Sequence, residues 1–277
     1  MNLFDMVGEP TLPPYEPPVT MTIAGSDSGG GAGLQADLKT FAALGTFGTS
    51  VLTLITAQNT VGVKGVHLLP ESVVRAQFQA VVTDLPPAAA KTGALGSERL
   101  IEVVAELLRE RPIANLVVDP VMVSKHGDPL LPESAQKAFR KLMIPGVLLV
   151  TPNRHEAQML TRRTVEGPSS MKDAAKALFD LGAQNVLIKG SHLDKIVRDI
   201  AYDGTGFVEF GADRIDTDRV HGSGCAHSAA IAARLGHGDE LMESIAFARE
   251  FISGAIEKAP KLGGGIAPVN PMHDRWP

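Results

Sequence analysis

Along this chain two kinds of run alternate. Short, almost continuously apolar stretches recur at 19–24, 49–57, 88–92, 116–119, 147–151 and 186–189. Between them lie amphipathic stretches at 34–44, 71–83, 97–109, 133–142, 155–160 and 171–181. The first kind predicts strands buried on both faces, the second helices with one apolar face. Their alternation predicts an α/β chain with a mostly parallel central sheet and helices on both faces. Residues 197–202 and 206–210, divided by Asp203-Gly204, read as a hairpin at one edge. Two further helices, at 225–235 and 240–258, return to the covering layer. No linker or internal repeat interrupts 19–277, which reads as one domain. Residues 1–18, with Pro10, Pro13, Pro14, Pro17 and Pro18, read as an extended arm.

Composition narrows the function classes. With 277 residues, 44% of them hydrophobic, a large core is available. A net charge of −5 without a basic run argues against a nucleic-acid partner. Cys225 is the only cysteine, so no internal disulfide forms, which suits a reducing compartment. No apolar run approaches the roughly 18 residues that span a bilayer. The N-terminus is proline-rich and acidic and does not read as a signal peptide. A cytoplasmic enzyme without a membrane partner is expected.

Polar residues gather where the strands end. They are Gln58 and Asn59, Lys91 to Gly93, Asp119, Thr151 to Asn153, and Lys189-Gly190-Ser191-His192. Ligands of open α/β sheets sit along that edge. A second feature is Gly222-Ser223-Gly224-Cys225, where glycines meet the start of a helix. Backbone N–H groups at such a junction build an anion hole. A cysteine in that first turn is expected to have a lowered pKa and thiolate character, unless it merely packs the helix onto the sheet. The loop from Gly25 to Gly33 contains a G-x-G-x-x-A match, Gly31 to Ala36. The acid wanted about 20 residues on is missing, because none follows Asp37 before Glu71. A P-loop is excluded by the absence of any Gly-Lys pair. Asn153 and Glu156, three apart at a strand-to-helix turn, read from their spacing as a helix-capping pair.

Several of these stretches carry a resemblance. Thr22 to Thr40, Thr56-Ala57-Gln58-Asn59-Thr60, Lys91-Thr92-Gly93-Ala94-Leu95, Asp119-Pro120-Val121-Met122, Gly127-Asp128-Pro129-Leu130-Leu131, Thr151-Pro152-Asn153 with Glu156, and His221 to Cys225 resemble hydroxymethylpyrimidine/phosphomethylpyrimidine kinases of thiamine biosynthesis. The resemblance implies a ribokinase-like three-layer α/β/α sandwich. It implies two ATP-dependent phosphorylations, of hydroxymethylpyrimidine and then of its phosphate. Gly25, Asp37, Gln58 and Val121 would bind the pyrimidine. Asp119, Asn153 and Glu156 would serve ATP and Mg²⁺, the ion being held indirectly through Glu156 and Asp119. Lys189 would face the ATP phosphates. Gly222, Ser223 and Gly224 would form the anion hole, with Cys225 near the attacking hydroxyl. A homodimer is also implied. Pyridoxal kinase of the same architecture and a non-catalytic pyrimidine sensor are the alternatives. The chain departs from the family pattern at Ser191, Arg219, Val220 and Ser223, and in the tail Gly263 to Pro268, mostly on the nucleotide side.

Overall fold

The computed structural model describes residues 16–123, 131–191 and 195–275. The arm before Glu16, Gly127 to Leu130 and His192 lie outside the described residues. The strands are β1 (Val19–Asp27), β2 (Phe47–Asn59), β3 (Gly62–Leu68), β4 (Ala89–Thr92), β5 (Asn115–Val118), β6 (Leu149–Val150), β7 (Val186–Ser191), β8 (Ile196–Tyr202) and β9 (Phe207–Asp213). They form one sheet in the order β3-β2-β1-β4-β5-β6-β7-β8-β9. From β2 to β7 every pairing is parallel. Antiparallel strands finish each edge, β3 on one side and β8 and β9 on the other.

Side chains along the central strands point alternately to two cores. Val118, Val150, Val186 and Ile188 join one core with α2 (Glu71–Asp84), α3 (Glu98–Glu110), α4 (Glu133–Leu142), α5 (Arg154–Thr161) and α6 (Pro168–Phe179). Val117, Leu149 and Leu187 join the other with α1 (Gly33–Ala43), α7 (Ser223–Gly236) and α8 (Leu241–Glu257). Helices thus cover both faces, and the result is the expected three-layer α/β/α sandwich.

Several strands differ from the sequence reading. β1 continues through Gly25 to Asp27, because after a bulge Ser26 and Asp27 still pair with Ile55 and Thr56. β6 keeps only two ladder residues of the apolar run 147–151. β3 was not expected at all. It is an edge strand whose residues are exposed or half-buried, so it leaves no continuous apolar run to read.

The helix that carries the glycine–cysteine motif sits very close to the sheet. Ala226, Ala229, Ala230, Ala232 and Ala233 of α7 are all fully buried. At its far end a Cβ on Gly236 would lie 2.9 Å from the Thr20 hydroxyl. Short side chains permit this approach, and with it they fix where the helix begins. Ala229→Leu should therefore overpack the interface and lower stability by roughly 1–3 kcal/mol, read as a fall in the urea midpoint. An unchanged midpoint would show that the layer has slack.

Candidate active site

The polar strand ends meet in a cavity of about 690 Å³ at the C-terminal edge of the parallel strands. Gly25, Gln58, Val121, Asp119, Asn153, Glu156, Lys189, Gly222, Ser223, Gly224 and Cys225 all line it. Of the expected site residues only Asp37 does not. Its carboxylate is fully buried and accepts hydrogen bonds from the Thr22 hydroxyl at 2.7 Å and from Lys91 Nζ at 2.9 Å on both oxygens. Asp37 thus stays off the cavity wall, where the group presented is Lys91. Burial disfavours the Lys91 charge, but the facing Asp37 carboxylate outweighs it and holds the ammonium protonated.

Gly222 precedes α7 with φ of +76°, a left-handed conformation. No side chain fits there, since a Cβ would lie 1.8 Å from the Gly31 carbonyl oxygen. The helix start is pressed onto the Gly25–Gly33 loop. Ser223 N–H donates to the Val220 carbonyl at 3.2 Å, and Ala226 N–H to that of Gly222 at 2.9 Å. The first-turn N–H groups of Gly224 and Cys225 have no carbonyl one turn back within the helix, so they are suited to receive an anion. Lys189 Nζ lies on the same side, 3.6 Å from where a Gly224 Cβ would be.

Lys189 donates to Asp119 Oδ1 at 2.8 Å, and Ser228 Oγ donates to Asp119 Oδ2 at 2.8 Å. Asn153 and Glu156 form a complete capping box at the start of α5. Glu156 N–H donates to Asn153 Oδ1 at 2.9 Å, and Asn153 N–H donates to Glu156 Oε2 at 2.8 Å. The capping reading of this pair is therefore present in the structure, and Glu156 faces the cavity as well. Burial and the neighbouring Asp119 charge raise its carboxyl above the usual carboxylate range.

Cys225 departs from the expectation of a thiolate. Burial pushes its thiol up to about 11, and the pull of Lys91 does not offset this. The helix start and the nearby cation are real, but the low-dielectric surroundings and the Asp37 and Asp119 carboxylates win. At neutral pH the group is a neutral thiol on the cavity wall.

Several residues at the site were missed in the sequence. Asp27 accepts from the N–H groups of Gly29 (2.8 Å), Gly31 (3.0 Å) and Ala32 (2.8 Å) and pairs with His221 Nε2 (2.9 Å). Burial works against its charge, yet the His221 contact and the loop N–H groups hold it below the usual carboxylate range. An aspartate opening a glycine-rich loop is a signal for such a turn. The far end of the cavity is walled by Ile215, Val220, Ile252 and Ile256, with Asp199, His227 and Arg249 beside them. Arg249, Ile252 and Ile256 share one face of α8 at helical spacing, but nothing in the sequence says that this face meets Asp199 of β8, Ile215 and Val220. Arg219, which departs from the family pattern, donates through Nη1 to the Ala259 carbonyl at 2.8 Å.

A family model described as phosphomethylpyrimidine kinase matches residues 27–270. The chain belongs to this family. A hydroxymethylpyrimidine/phosphomethylpyrimidine kinase of Streptomyces coelicolor is 46% identical over 93% of this chain and 96% of its own length. Among solved structures, the phosphomethylpyrimidine kinase of Clostridium difficile is 40% identical with a TM-score of 0.77, covering 86% of this chain and 99% of that one. An ADP complex of Bacillus subtilis pyridoxal kinase is 34% identical with a TM-score of 0.87, covering 94% and 99%. The protein is a kinase of the phosphomethylpyrimidine family, and its fold is shared with pyridoxal kinases. Among the described residues no helix is long and apolar enough to cross a membrane.

The neutral thiol gives a direct test. Alkylation of Cys225 by iodoacetamide should be slow at pH 7 and rise with pH toward about 11, because the reactive thiolate fraction grows as the pKa is approached. A rate already at its plateau near neutral pH would restore the thiolate.

Proposed function

We propose that the protein uses ATP to phosphorylate 4-amino-5-hydroxymethyl-2-methylpyrimidine, and then the resulting monophosphate to the diphosphate, for thiamine diphosphate biosynthesis. One observation carries this reading: a single cavity joins Gln58 at one end to Lys189 and the Gly222–Cys225 helix start. Gln58 offers a side-chain amide, one donor and one acceptor group, as an aminopyrimidine edge requires. The Thr56 hydroxyl, which donates to the Ser26 carbonyl at 2.8 Å, lies 3.1 Å from the Gln58 Oε1. Val121 and Gly25 supply wall on either side. Phosphoryl transfer is mainly positioning and charge stabilisation. The N–H groups of Gly224 and Cys225, with Lys189, would hold the transferring phosphate, and Cys225 would stand beside the acceptor oxygen.

The donor set also supports Mg²⁺. Among the described residues no three His, Cys, Asp or Glu side chains cluster as a metal cage. Asp119, Asn153 and Glu156 do put oxygen donors on one wall, and each carboxylate already accepts hydrogen bonds within the protein. That arrangement fits a hard cation held partly through its water shell, by Glu156 and Asp119. Bound there, the ion would neutralise phosphate charge. We also place the reaction in the cytoplasm, where Cys225 stays reduced. A homodimer is supported by the exposed apolar side chains Ile55, Val66 and Leu68 on β2 and β3.

The likeness to pyridoxal kinase keeps pyridoxal as a second acceptor to test. Incubation with Mg-ATP and each acceptor separately, followed by mass spectrometry, decides among the readings. Mono- and diphosphate from the pyrimidine support the proposal. Product from pyridoxal alone replaces it, and unchanged substrate in both tubes points to a sensor.

Gln58→Ala should raise the KM for the pyrimidine by about tenfold or more, the size of one lost hydrogen bond of roughly 1–3 kcal/mol, and leave the KM for ATP nearly alone. Weakened ATP binding with normal pyrimidine KM would show that Gln58 belongs to the nucleotide.

Cys225→Asp separates the two steps. The second acceptor is a phosphate monoester carrying about −1.5 to −2 charge near neutrality. A neutral thiol tolerates it, whereas a carboxylate would repel it. The variant should keep a measurable share of the first phosphorylation and lose most of the second. An equal fall in both kcat/KM values would show that charge is not why a thiol stands there.

A further inference from the structure

The tail Gly263 to Pro268 departs from the family pattern and has no part in the chemistry above, yet it touches the turn after β2, the glycine loop and the segment that leads into α7. It first meets the turn between β2 and β3. Gly265 N–H donates to Thr60 Oγ1 at 3.3 Å, and Ile266 N–H donates to the Thr60 carbonyl at 2.9 Å. The residues that follow meet the start of the anion hole. His221 N–H donates to the Ala267 carbonyl and Val269 N–H to the His221 carbonyl, both at 3.1 Å. Pro268 also abuts the glycine loop, 2.9 Å from where a Cβ on Gly31 would be. Asn270 N–H then donates to the Ala255 carbonyl of α8 at 2.8 Å, which anchors the far end.

The turn that this segment holds follows Gln58 directly. The glycine loop grips the same turn from its other side. Ser28 Oγ donates to the Gln58 carbonyl at 2.7 Å and accepts from the Gln58 N–H at 2.8 Å. A Cβ on Gly29 would lie 3.1 Å from Asn59 Cα. Gln58 is thus set between two backbone grips, and both lead to His221, one through Asp27 and the other through the tail.

We propose that residues 263–269 act as a strap that fixes Gln58 relative to Cys225, and that Gly265 is a positioning residue for the pyrimidine end of the reaction. The proposal rests on the reading of Gln58 as the pyrimidine-binding residue. Gly265 is required for close approach. A Cβ there would lie 2.0 Å from the Thr60 carbonyl oxygen and 2.9 Å from Val61 Cα, both backbone atoms that cannot rotate away. The adjacent Gly264 has nothing within 4 Å of the same position. The two glycines form a matched pair, alike in sequence and opposite in surroundings.

Gly265→Ala must push strap and turn apart, whereas Gly264→Ala leaves both in place. For Gly265→Ala the expected result is a rise of about tenfold in the KM for hydroxymethylpyrimidine, the scale of one displaced hydrogen bond, with the KM for ATP unchanged. Gly264→Ala should match the parent in both constants. Amide hydrogen exchange supplies a readout without substrate: the Ile266 and Gln58 amides should lose protection in Gly265→Ala only. Unchanged protection at Ile266 would overturn the strap. So would equal effects of the two variants, or a KM for ATP that rises as much as that for the pyrimidine. A parent protein that phosphorylates neither pyrimidine would instead sink the functional reading, and exchange alone would then judge whether the strap holds the turn.

Discussion

The cavity depends on one carboxylate. Asp27 lies at the end of β1, where its backbone still pairs with Thr56, and its oxygens gather three N–H groups of the glycine loop together with the His221 imidazole. The loop supplies one wall and His221 opens the segment that leads into α7. Without a common acceptor, these two glycine-bearing stretches have no reason to approach as closely as the Gly31–Gly222 contact shows. A carboxylate that accepts several N–H bonds is strongly favoured in its charged form, so the joint is firm under the conditions in which the enzyme works.

Beneath the cavity the chain buries more charge than a core normally tolerates. Lys91 with Asp37 and Lys189 with Asp119 are ion pairs of nearly inaccessible side chains. Buried pairs contribute little net stability compared with apolar packing, and removing one partner is costly. Their value here lies in position. Each lysine is held with its charge intact on the cavity wall, in surroundings where a fixed charge acts far more strongly than in water. Burial also keeps the Cys225 thiol neutral, so one environment strengthens the cations and leaves the thiol uncharged.

Much of this was legible in the chain. Near-continuous apolar runs marked the central strands because both of their faces are covered. Strand-end polarity marked Gln58, Asp119 and Lys189 because the cavity lies on that edge. Other features failed for physical reasons. β3 lies half in water, so it leaves no apolar signature. That Asp37 stays off the cavity wall was not legible, because a motif shows which residues travel together and not which of them faces the cavity; Lys91, on another strand, takes up its oxygens. The helix start at Cys225 was read as lowering the thiol pKa, while the opposing effect of burial depends on neighbours 100 residues or more away in the chain. Arg249 and Asp199 meet only because α8 folds back beside β8.

The sheet has a parallel centre and antiparallel borders, and that mixture bears on how the chain folds. A hairpin such as β8–β9 closes through contacts near in sequence, whereas each parallel pairing awaits a crossover through a whole helix. The borders are therefore the parts that local contacts can assemble early. Gln58, Lys91, Asp119 and Lys189 stand on or just after four different strands of the slower centre. Their mutual placement exists only once β2 through β7 are in register, so an incompletely folded chain possesses no fraction of the site. Catalytic competence and completion of the fold become a single event.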